Sequence, residues 1–561
     1  MKILKLLILA LSASLIFQPG AHAATLEVVR PAAPCASLAG TDLSTIGGAG
    51  SAVTAAEETT SDGIAVCSVT GTLMPQIRFQ VLLPIDSWTQ RYLQVGCGGL
   101  CGNITLTSGA SAGCQVLNDG GFVMAATDMG HSGNDGAWGL DTQQRRDFAY
   151  VAQHETAEAA KALITAFYGQ PPRYSYFNGC SDGGREALME AMRFPEDFDG
   201  VIAGAPAMLF QVQNTLFHGW QARSNTDAAG KTILISDRLP LIHAAVVAAC
   251  DDTDGVKDGL IAEPAKCHFD PASLICAAGA ETSQCLTPAE AEVAGKFYAG
   301  PQDATVKAWL TAGQPLYGSE LNWQGVYVAD SHDQPVFSDM IVAPVLKYLA
   351  FDPARPDMTV DDLQFTVATL DDLRPRHPLF DATNPDLAAF NAAGGKLIMW
   401  HGLADPHIAP ANTVALHKAI EAVLGAEAAA GFERLYLLPG VSHCGGGQGP
   451  SALDLLSPML AWVEDGQAPD AVLTSSSAET SSFGQPDGGE KGGHHPAMED
   501  LGMAPLPAMT RPAYPYPHVA VWSGQGDIHD AANWSKGPDS EIVATRDWPG
   551  ADLFAPYAFA D

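Results

Sequence analysis

The sequence predicts an α/β fold built around a parallel β-sheet, and two observations support this. Short apolar runs of strand length alternate along the chain with segments of helical spacing, an order typical of parallel sheets covered by helices. In addition, 561 residues are too many for one compact core, so a second domain or a large insertion is expected.

The elements of the first half are marked by periodicity and by the residues that end them. The segment 147–169 has helical spacing and ends at Gly169, and the helical segment 183–195 ends at Pro195. Buried strands that end in Gly-rich or polar loops are predicted at 77–84, 91–99, 121–131, 174–180 and 198–207.

The alternation stops near residue 208 and resumes near residue 395. In between, helical pieces are mixed with cysteines, prolines and Asp-rich loops. We therefore predict one α/β domain formed by 24–207 and 386–561, with 208–385 inserted as a separate lid domain. The resumed pattern is a strand, a helix and a strand, at 395–406, about 411–425 and 432–447.

The first 23 residues predict a secretory signal peptide. Lys2 and Lys5 supply the positive start, residues 6–17 form the apolar segment, and Ala21-His22-Ala23 matches a cleavage site. A buried N-terminal helix is the alternative. The apolar segment is too short for a membrane anchor, and no other run of spanning length follows. We expect a soluble protein exported to the periplasm or beyond the cell.

The charge of the chain narrows the possible partners. Its formal net charge is -34 and its isoelectric point is about 4.6. Such a surface repels nucleic acid and anionic lipid, so neither is expected as a partner. A small-molecule substrate is expected instead, and the oligomeric state is left open.

A G-x-S-x-G pattern, Gly179 to Gly183, lies between the predicted strand 174–180 and the predicted helix 183–195. This strand–turn–helix setting is that of a nucleophile elbow, in which a sharp turn exposes the serine at the sheet edge. Ser181 is therefore the candidate nucleophile. An ordinary Gly-rich turn is the alternative.

A nucleophilic serine needs a general base, and the base needs a carboxylate that orients it. α/β-Hydrolases supply these in the order Ser, Asp, His, each on a loop after a strand. Asp405 follows one predicted strand and His443 follows the next. Position alone leaves His401 and His407 open as the base, and Asp381 and Asp386 as the acid.

The developing oxyanion needs two backbone N–H groups. Asp182, directly after the serine, supplies one, and the loop after the strand at 91–95 supplies the other, with Gly98 as the candidate. The charge of Asp182 would oppose an oxyanion. We therefore expect its side chain to face away, toward Arg185.

All eleven cysteines lie beyond the signal peptide, where most are expected to form disulfides. Cys180 precedes the candidate nucleophile and Cys444 follows the candidate base, so a disulfide between them would join the two catalytic loops. A bridged Cys180 is excluded as the nucleophile. Cys97 and Cys101 have no second Cys/His pair nearby, which argues against a zinc site.

At this point the chain resembles a known family. The segments "GCSDGGREALMEAMRFPEDFDGVIAGAPA", "HGLADP", "SHCGGG", "QVGCGGLCG" and "ATDMGHSG" are similar to motifs of the tannase and feruloyl esterase family, which includes mono(2-hydroxyethyl) terephthalate hydrolases. The resemblance implies an α/β-hydrolase with a lid domain, the triad Ser181–His443–Asp405 and the Cys180–Cys444 bridge. It also implies esters of hydroxycinnamic, gallic or terephthalic-type acids as substrates.

The resemblance further implies a structural calcium site in the lid. The acidic segment 250–261 does not fit an EF-hand, because its frame places Ile261 where the last ligand should be a Glu. A solvated acidic turn is the alternative to a metal site. The family pattern falls on Asp251, Asp254 and Asp258 with the carbonyls of Val256 and Leu260. The family's lid disulfides fall on Cys250–Cys267 and Cys276–Cys285.

Near its end the chain departs from the family pattern. Tyr514 and Lys536 stand where the family has a disulfide, so this segment is expected to rely on packing. Residues 473–510 are rich in Ser, Gly and Pro and predict a long surface loop, in which His494-His495 is expected to be solvated. Two further pairings are suggested, Cys101–Cys114 and Cys35–Cys67.

The expected function is a serine esterase acting on aromatic esters. An esterase for non-aromatic esters or lactones is the first alternative, and a non-catalytic, calcium-stabilised exported binding protein is the second. A terephthalate-type substrate would need a cation for its free carboxylate. Arg355, Arg374 and Arg376 are candidates by charge, and surface salt bridges are the alternative for each.

Overall fold

The computed structural model describes residues 24–279, 284–476 and 506–560. The predicted signal peptide, His494-His495 and most of the predicted loop 473–510 lie outside the described residues. Fourteen strands are formed in the described part: β1 Ala52–Ser61, β2 Ile64–Leu73, β3 Ile77–Pro84, β4 Arg91–Val95, β5 Phe122–Thr127, β6 Tyr174–Cys180, β7 Gly200–Gly204, β8 Lys396–Gly402, β9 Glu433–Leu438, β10 Ala452–Leu453, β11 Val472–Ser475, β12 Thr510–Ala513, β13 His518–Trp522 and β14 Trp534–Asp539.

The α-helices of the described part lie mostly between these strands. Three π-helical turns, at 147–151, 213–217 and 345–349, interrupt the helical segments. The helices are α1 Ser44–Gly47, α2 Gln115–Asn118, α3 Thr142–Arg146, α4 Ala152–Tyr168, α5 Asp182–Arg193, α6 Phe210–Val212, α7 His218–Ser224, α8 Leu239–Cys250, α9 Pro288–Ala299, α10 Phe337–Pro344, α11 Val367–Leu373, α12 His377–Phe380, α13 Ala388–Ala392, α14 Pro410–Leu424, α15 Ala426–Phe432 and α16 Leu456–Asp465.

The central sheet has nine strands in the order β1-β2-β3-β5-β4-β6-β7-β8-β9. The six strands from β5 to β9 are parallel, as the alternation of strands and helices predicts. The sheet is nevertheless mixed, because β1, β2 and β3 add an antiparallel extension that joins β5. The α/β-hydrolase prediction is confirmed for the core, and the antiparallel edge was not predicted.

Both faces of the parallel part are buried, as expected for a sheet with helices on each side. Successive residues of a strand belong to different apolar clusters: Phe177 and Val201 to one, Tyr176 and Ile202 to the other. Helices α4 and α5 contribute to the first cluster, and α16 contributes to the second. The functional loops therefore extend from a rigid, closely packed layer.

The chain leaves the sheet after β7 and returns at β8. The intervening residues form helices α6 to α13 and add no described strand to the central sheet. They have an apolar cluster of their own, which includes Ile242, Phe297 and Trp323. These features agree with an inserted lid, although its boundaries at 208 and 385 stay a prediction.

The C-terminal part forms two small sheets. Strand β11 pairs with β10 and β12, so the two ends of the predicted loop 473–510 are strands rather than loop. Strands β13 and β14 form a ladder in the segment where the family disulfide is replaced by Tyr514 and Lys536. In the described part of the chain, no helix is both long enough and apolar enough to cross a bilayer.

Candidate active site

Ser181 lies on the turn between β6 and α5, with φ 63° and ψ -122°. A serine rarely adopts a positive φ, and such strain is often found at catalytic turns. Hydrogen bonds hold the turn, because the Ser181 amide donates to Gly204 O at 3.0 Å and Ala207 N donates to Ser181 O at 2.9 Å. The predicted nucleophile elbow is thus present as a local backbone geometry.

Close packing explains the two glycines of the pattern. A Cβ on Gly179 would lie 2.1 Å from the carbonyl oxygen of Gly183, and a Cβ on Gly183 would lie 2.8 Å from that of Cys97. Both distances are far below van der Waals contact. The turn can therefore pack against α5 and against the loop after β4 only when both positions lack a side chain.

Asp405 and His443 come together behind this turn, on the loops after β8 and β9. Nδ1 of His443 lies 2.7 Å from Oδ2 of Asp405, and both side chains are buried. The other carboxylate oxygen, Oδ1, accepts the amide hydrogens of His407 at 2.7 Å and Ile408 at 3.0 Å. The carboxylate is fixed, and it can set the tautomer and the orientation of the imidazole.

His401, which position alone left open as the base, is a second imidazole partner of Asp405. Its Nε2 lies 3.1 Å from Asp405 Oδ2, and its Nδ1 lies 2.7 Å from Thr413 Oγ1. Burial alone would raise the pKa of Asp405, but the hydrogen bonds and charges of His443 and His401 hold that pKa below its usual range. Asp405 is therefore ionised wherever the protein is folded near neutral pH.

The remaining candidates for the base and the acid make different contacts. Asp381 is bound to Nδ1 of His377 at 2.8 Å, so this carboxylate already orients another histidine. The backbone amide of His407 donates to the carboxylate of Asp405, and the His407 ring packs beside the His443 ring with centroids 4.7 Å apart. The exposed carboxylate of Asp386 accepts the amide hydrogen of Ala388.

A disulfide joins the loops of Ser181 and His443. The sulfur atoms of Cys180 and Cys444 are 2.01 Å apart, and their Cα atoms are 5.9 Å apart. Each cysteine is the direct neighbour of a candidate catalytic residue, so the bond limits how far the two loops can separate. It also removes the Cys180 thiol from any nucleophilic role.

The carboxylate of Asp182 pairs with Arg185, as expected. Arg185 Nε donates to Oδ1 at 2.7 Å and Nη2 donates to Oδ2 at 3.0 Å. The guanidinium is fully buried, donates to the carbonyls of Phe148 and Ala149, and lies 4.7 Å from the centre of the Phe148 ring. The negative charge beside the serine is thus neutralised by a bidentate partner.

Glu186, one turn further along α5, contacts the loop after β4. Its Oε2 accepts the Cys97 amide hydrogen at 3.1 Å and the Gln153 side-chain amide at 2.5 Å, and its Oε1 lies 2.8 Å from Cys97 Sγ. Burial first, then the negative charge of Asp182, raises the pKa of Glu186 well above its usual value. A protonated Glu186 fits, because a disulfide sulfur has no hydrogen to donate.

The cysteine pairing of this loop differs from the one suggested by the sequence. Cys97 is joined to Cys101, and Cys114 is a buried free thiol, so the suggested pair Cys101–Cys114 is wrong. Cys97 and Cys101 are four residues apart, which allows a disulfide within the loop. The disulfides Cys35–Cys67, Cys250–Cys267 and Cys276–Cys285 are all formed.

Ser181 and His443 line one pocket, together with Asp182. Gly99, from the loop predicted to supply the second oxyanion donor, lines the same pocket next to the position of Gly98. The first amide of α5 belongs to Asp182 and has no partner within its own helix. The arrangement can therefore place a carbonyl carbon at the serine with backbone N–H groups around its oxygen.

The inserted helices close the pocket from the other side. Gln213 and Asn214 come from the π-helical turn between α6 and α7, and His218 is the first residue of α7. Phe337 and Ile341 come from α10. The pocket therefore lies between the sheet and the insertion, where a lid would be expected to contact substrate.

The acidic segment of the insertion follows α8. Asp251 Oδ1 accepts the amide hydrogens of Asp258 and Gly259, and Arg511 Nη1 and Nη2 contact Asp258 at 2.5 Å and Asp254 at 3.3 Å. Two of the three carboxylates thus share the guanidinium of Arg511. Carboxylate oxygens are also the type of ligand that a hard cation prefers.

The three carboxylates of this segment do not converge tightly. They do not form a set of three ligand atoms within 4.8 Å of one another. Within the described ranges, such sets of acidic, His or Cys ligand atoms occur elsewhere. One such set contains the bonded Cys97 and Cys101, whose sulfurs are not free ligands, and the other combines His154, Glu190 and Asp197. The Val256 and Leu260 carbonyls remain predicted ligands.

The fold and this site together define a carboxylic ester hydrolase of the α/β-hydrolase class. The family model described as "Tannase and feruloyl esterase" matches residues 61–536. The chain therefore belongs to the tannase and feruloyl esterase family, which confirms the resemblance seen in the sequence motifs.

Known relatives span most of this chain. It is 32% identical over 524 residues to mono(2-hydroxyethyl) terephthalate hydrolase of Piscinibacter sakaiensis, covering 82% of this chain and 81% of the relative. It is 30% identical over 410 residues to feruloyl esterase B of Aspergillus niger, covering 68% and 74%. The crystal structure of feruloyl esterase B from Aspergillus oryzae has a TM-score of 0.73 at 24% identity, covering 90% of this chain and 100% of that one, which shows the shared fold.

Some residues of the site were not predicted from the sequence. Glu186, Asn214 and His218 were not singled out, because each acts through contacts with segments distant in the chain. His401 was considered only as a base. Its spacing of four residues before Asp405 is the signal that would have suggested contact between them.

Proposed function

We propose that the chain is an exported serine esterase that hydrolyses esters of aromatic carboxylic acids through an acyl-enzyme. The observation that carries this proposal is the pairing of His443 with a buried, ionised Asp405 beside a serine held at positive φ. Family membership supports the ester chemistry, and the names of the relatives support aromatic acids as the acyl group.

In the proposed mechanism, His443 removes the proton from Ser181 as the hydroxyl attacks the ester carbonyl. The backbone amides of Asp182 and Gly98 stabilise the oxyanion. His443 then gives the proton to the departing alcohol, and water repeats the sequence to release the acid. Asp405 stays ionised and keeps the imidazole in the tautomer that accepts at Nε2.

The pocket favours an uncharged acyl group over one with a free carboxylate. Among its described lining residues none is a lysine or an arginine, and Phe337 and Ile341 provide apolar contact for a ring. The three arginines that are candidates by charge do not line this pocket, and each is paired elsewhere: Arg355 with Asp372, Arg374 with Asp371 and Asp552, and the buried Arg376 with Asp352. Feruloyl or galloyl-type esters are therefore the better candidates.

Replacing Ser181 by Ala tests the proposal. We expect hydrolysis of p-nitrophenyl and methyl hydroxycinnamate esters to fall at least a thousandfold, with the melting temperature unchanged. Exposed Ser37 provides a matched Ser→Ala control and should retain full activity. A fluorophosphonate should label the wild type at Ser181, whereas a non-catalytic binding protein would not react. Activity that survives in Ser181→Ala would refute the assignment.

We also propose that the acidic segment binds one structural Ca²⁺ through Asp251, Asp254 and Asp258 and the carbonyls of Val256 and Leu260. The ion would neutralise carboxylates that Arg511 balances only in part. Calcium removal by a chelator should lower the melting temperature by several degrees, and added Ca²⁺ should restore it.

A matched pair of variants makes the calcium test specific. Asp251→Asn should abolish the response to calcium. Asp252→Asn should keep it, because the neighbouring Asp252 is exposed and pairs with Lys257 instead. Equal responses in the two variants would argue against the predicted ligands.

Export is supported by the cysteines. The structure has five disulfides, which form and persist in oxidising compartments. The predicted cleavage after Ala23 can be checked by N-terminal sequencing of the exported protein, which should begin at Ala24.

A further inference from the structure

A second histidine, His401, lies behind the carboxylate of the proposed triad, and the mechanism given above assigns it no role. His401 is at the end of β8 and is fully buried. It is not among the described residues that line the pocket of Ser181 and His443. His401 can therefore affect the reaction only through a neighbouring residue, and Asp405 is the member of the triad that it contacts.

The contacts of the His401 ring determine which of its nitrogens carries hydrogen. Nε2 lies 3.1 Å from Oδ2 of the ionised Asp405 and 3.1 Å from the carbonyl oxygen of Ile408, and neither oxygen can donate. Nδ1 lies 2.7 Å from the hydroxyl oxygen of Thr413, which can donate. The hydrogen therefore lies on Nε2, and Nδ1 accepts the hydroxyl hydrogen of Thr413.

Two imidazoles thus share one oxygen atom of Asp405. Nδ1 of His443 lies 2.7 Å from Oδ2, and Nε2 of His401 lies 3.1 Å from the same atom. The other oxygen, Oδ1, accepts the backbone amide hydrogens of His407 and Ile408. A donor to a carboxylate stabilises its negative charge. Less of that charge then remains to stabilise the imidazolium that forms on His443 during the proposed reaction.

Other titratable side chains also face this pair: the rings of His407 and His218 near His443, and Tyr327 near Asp405. Burial, and then the charge of His443, lowers the pKa of His218 to about 3, so this ring is uncharged at neutral pH. Burial, and then nearby carboxylates, raises the pKa of Tyr327 well above its usual value, so the phenol is neutral too. His401 differs from these two neutral groups, because its hydrogen bond lies on the oxygen that orients the base.

We propose that His401 is a positioning residue, which shares Oδ2 of Asp405 with His443 and thereby fixes the carboxylate and limits how strongly it stabilises the imidazolium. This inference rests on the proposed esterase function and adds a residue that acts on the base from behind. Because His401 does not line the described pocket, its loss should change kcat and the pH dependence rather than KM.

Removal of the donor tests this role. In His401→Phe more of the charge of Asp405 is available to His443, so the imidazolium is more stable and the base is lost at a higher pH. We expect the midpoint of the acid limb of kcat/KM to rise by about 0.5 to 1 pH unit. We expect kcat to fall about tenfold and KM to change less than about twofold. The measurement is hydrolysis of a p-nitrophenyl ester without a titrating group, from about pH 5 to 9.

His401→Gln provides rescue by a conservative variant. The glutamine amide can donate from about the position of Nε2, and its oxygen can accept from Thr413. We expect the acid-limb midpoint to stay within about 0.3 pH unit of the wild type, with kcat within about threefold. A glutamine variant that behaves like His401→Phe would overturn the proposal, because the restored donor would then have no effect.

His377→Phe is the matched control. His377 and Asp381 have the same spacing of four residues, are also buried, and are joined by a contact of 2.8 Å. Neither is among the described residues of the pocket lining. This variant should lower the melting temperature and leave the acid-limb midpoint unchanged. Equal shifts in His377→Phe and His401→Phe, or a fall in kcat of His401→Phe without any shift, would overturn the proposal.

The tautomer can be measured in the wild type, whether or not the variants fold. In a protein with ¹⁵N-labelled histidine, the NMR spectrum should show hydrogen on Nε2 of His401 and none on Nδ1. Hydrogen on Nδ1 alone would remove the donor on which the proposal depends.

These experiments also separate the role of His401 from the proposed function. A wild-type protein that hydrolyses esters, but whose acid limb does not respond to His401→Phe, would refute the role of His401 alone. A wild-type protein that hydrolyses no ester and resists a fluorophosphonate would refute the esterase function itself.

Discussion

Asp182 occupies the position where a negative charge would do most harm, directly after the candidate nucleophile and beside the proposed oxyanion donors. Its bidentate pairing with Arg185 resolves the conflict, and the guanidinium is itself enclosed by Phe148 and by backbone carbonyls. The sequence indicated this pair, because Arg185 lies three residues further along the predicted helix. The contacts that enclose it come from a distant segment and could not be predicted.

Removing Arg185 should therefore be severe. In Arg185→Met the carboxylate of Asp182 would be buried without a partner, so we expect a loss of about 3–5 kcal/mol in the free energy of unfolding and a fall in kcat. Adding Asp182→Asn removes the unpaired charge and should recover part of the stability. Urea unfolding and initial rates measure both effects. A double variant no more stable than Arg185→Met would contradict the pairing argument.

Glu186 illustrates a second residue-scale effect, a carboxyl group that acts as a neutral hydrogen-bonding side chain. It accepts the amide hydrogen of Cys97 and thereby holds the loop that is proposed to supply an oxyanion donor. Nothing in the local sequence distinguishes it from an exposed helix glutamate. Its burial follows from the approach of the loop after β4, which is a tertiary contact.

Variants of Glu186 can separate charge from hydrogen bonding. Glu186→Gln keeps the shape and the acceptor of a protonated acid, so we expect kcat/KM to change by less than about threefold. Glu186→Ala leaves the Cys97 amide unpaired and frees the loop, so we expect a fall of about tenfold or more. Rates at pH 6 to 9 give the comparison. A large loss in Glu186→Gln would mean that the ionised form is required.

At the scale of elements, the parallel strands and their helices could be predicted because each carries its own pattern. The β1–β2 hairpin was missed, since most residues of β1 are exposed and its apolar signal is weak. Asp62-Gly63 lies at the turn, with Ser61 paired to Ile64, and this dipeptide is the hairpin signal that the sequence contained. Helix α4 also begins later than predicted, because residues 147–151 form a π-helical turn.

The Cys180–Cys444 disulfide joins two elements of the fold, the turn after β6 and the loop after β9. Its sequence separation of 264 residues corresponds to about 5.6 kcal/mol in the chain-entropy model. Cys180→Ala/Cys444→Ala should therefore lower the free energy of unfolding by up to that amount. It should also lower kcat at least tenfold, because Ser181 and His443 are no longer held together.

The Cys276–Cys285 bond of the insertion provides the control for this experiment. Its separation of nine residues corresponds to about 3 kcal/mol, and its loss should leave kcat near the wild-type value. Urea unfolding and initial rates of both double variants give the comparison. Equal effects on kcat in the two variants would mean that the Cys180–Cys444 bond contributes stability alone.

At the scale of the whole molecule, the site is assembled from both parts of the chain. Motif and chain order led to the prediction of Ser181, Asp405 and His443, and the structure places all three beyond the ends of strands of the central sheet. Asn214 and His218, which line the same pocket, come from the insertion, whose segments have little regular periodicity. The position of these segments over the sheet depends on packing, so sequence patterns indicated the residues on the sheet more readily than those that the insertion adds to the pocket.

The chain has a net charge of -34, so the ionisation of a buried carboxyl group affects the stability of the whole molecule. Asp147 is fully buried near the sheet, and burial raises its pKa from 3.8 to about 6. The folded state therefore binds this proton more tightly than the unfolded state, and the associated stability is lost as pH rises from about 4 to 6. Asp147→Asn should remove the loss and stabilise the protein at pH 8 by about 1–3 kcal/mol. The lowered pKa of the buried His218 makes stability change with pH in the opposite direction. The measurement is therefore the difference in free energy of unfolding between variant and wild type, obtained by urea unfolding at pH 5 and at pH 8. Exposed Asp62→Asn should show no such difference, and equal behaviour of the two variants would contradict the argument.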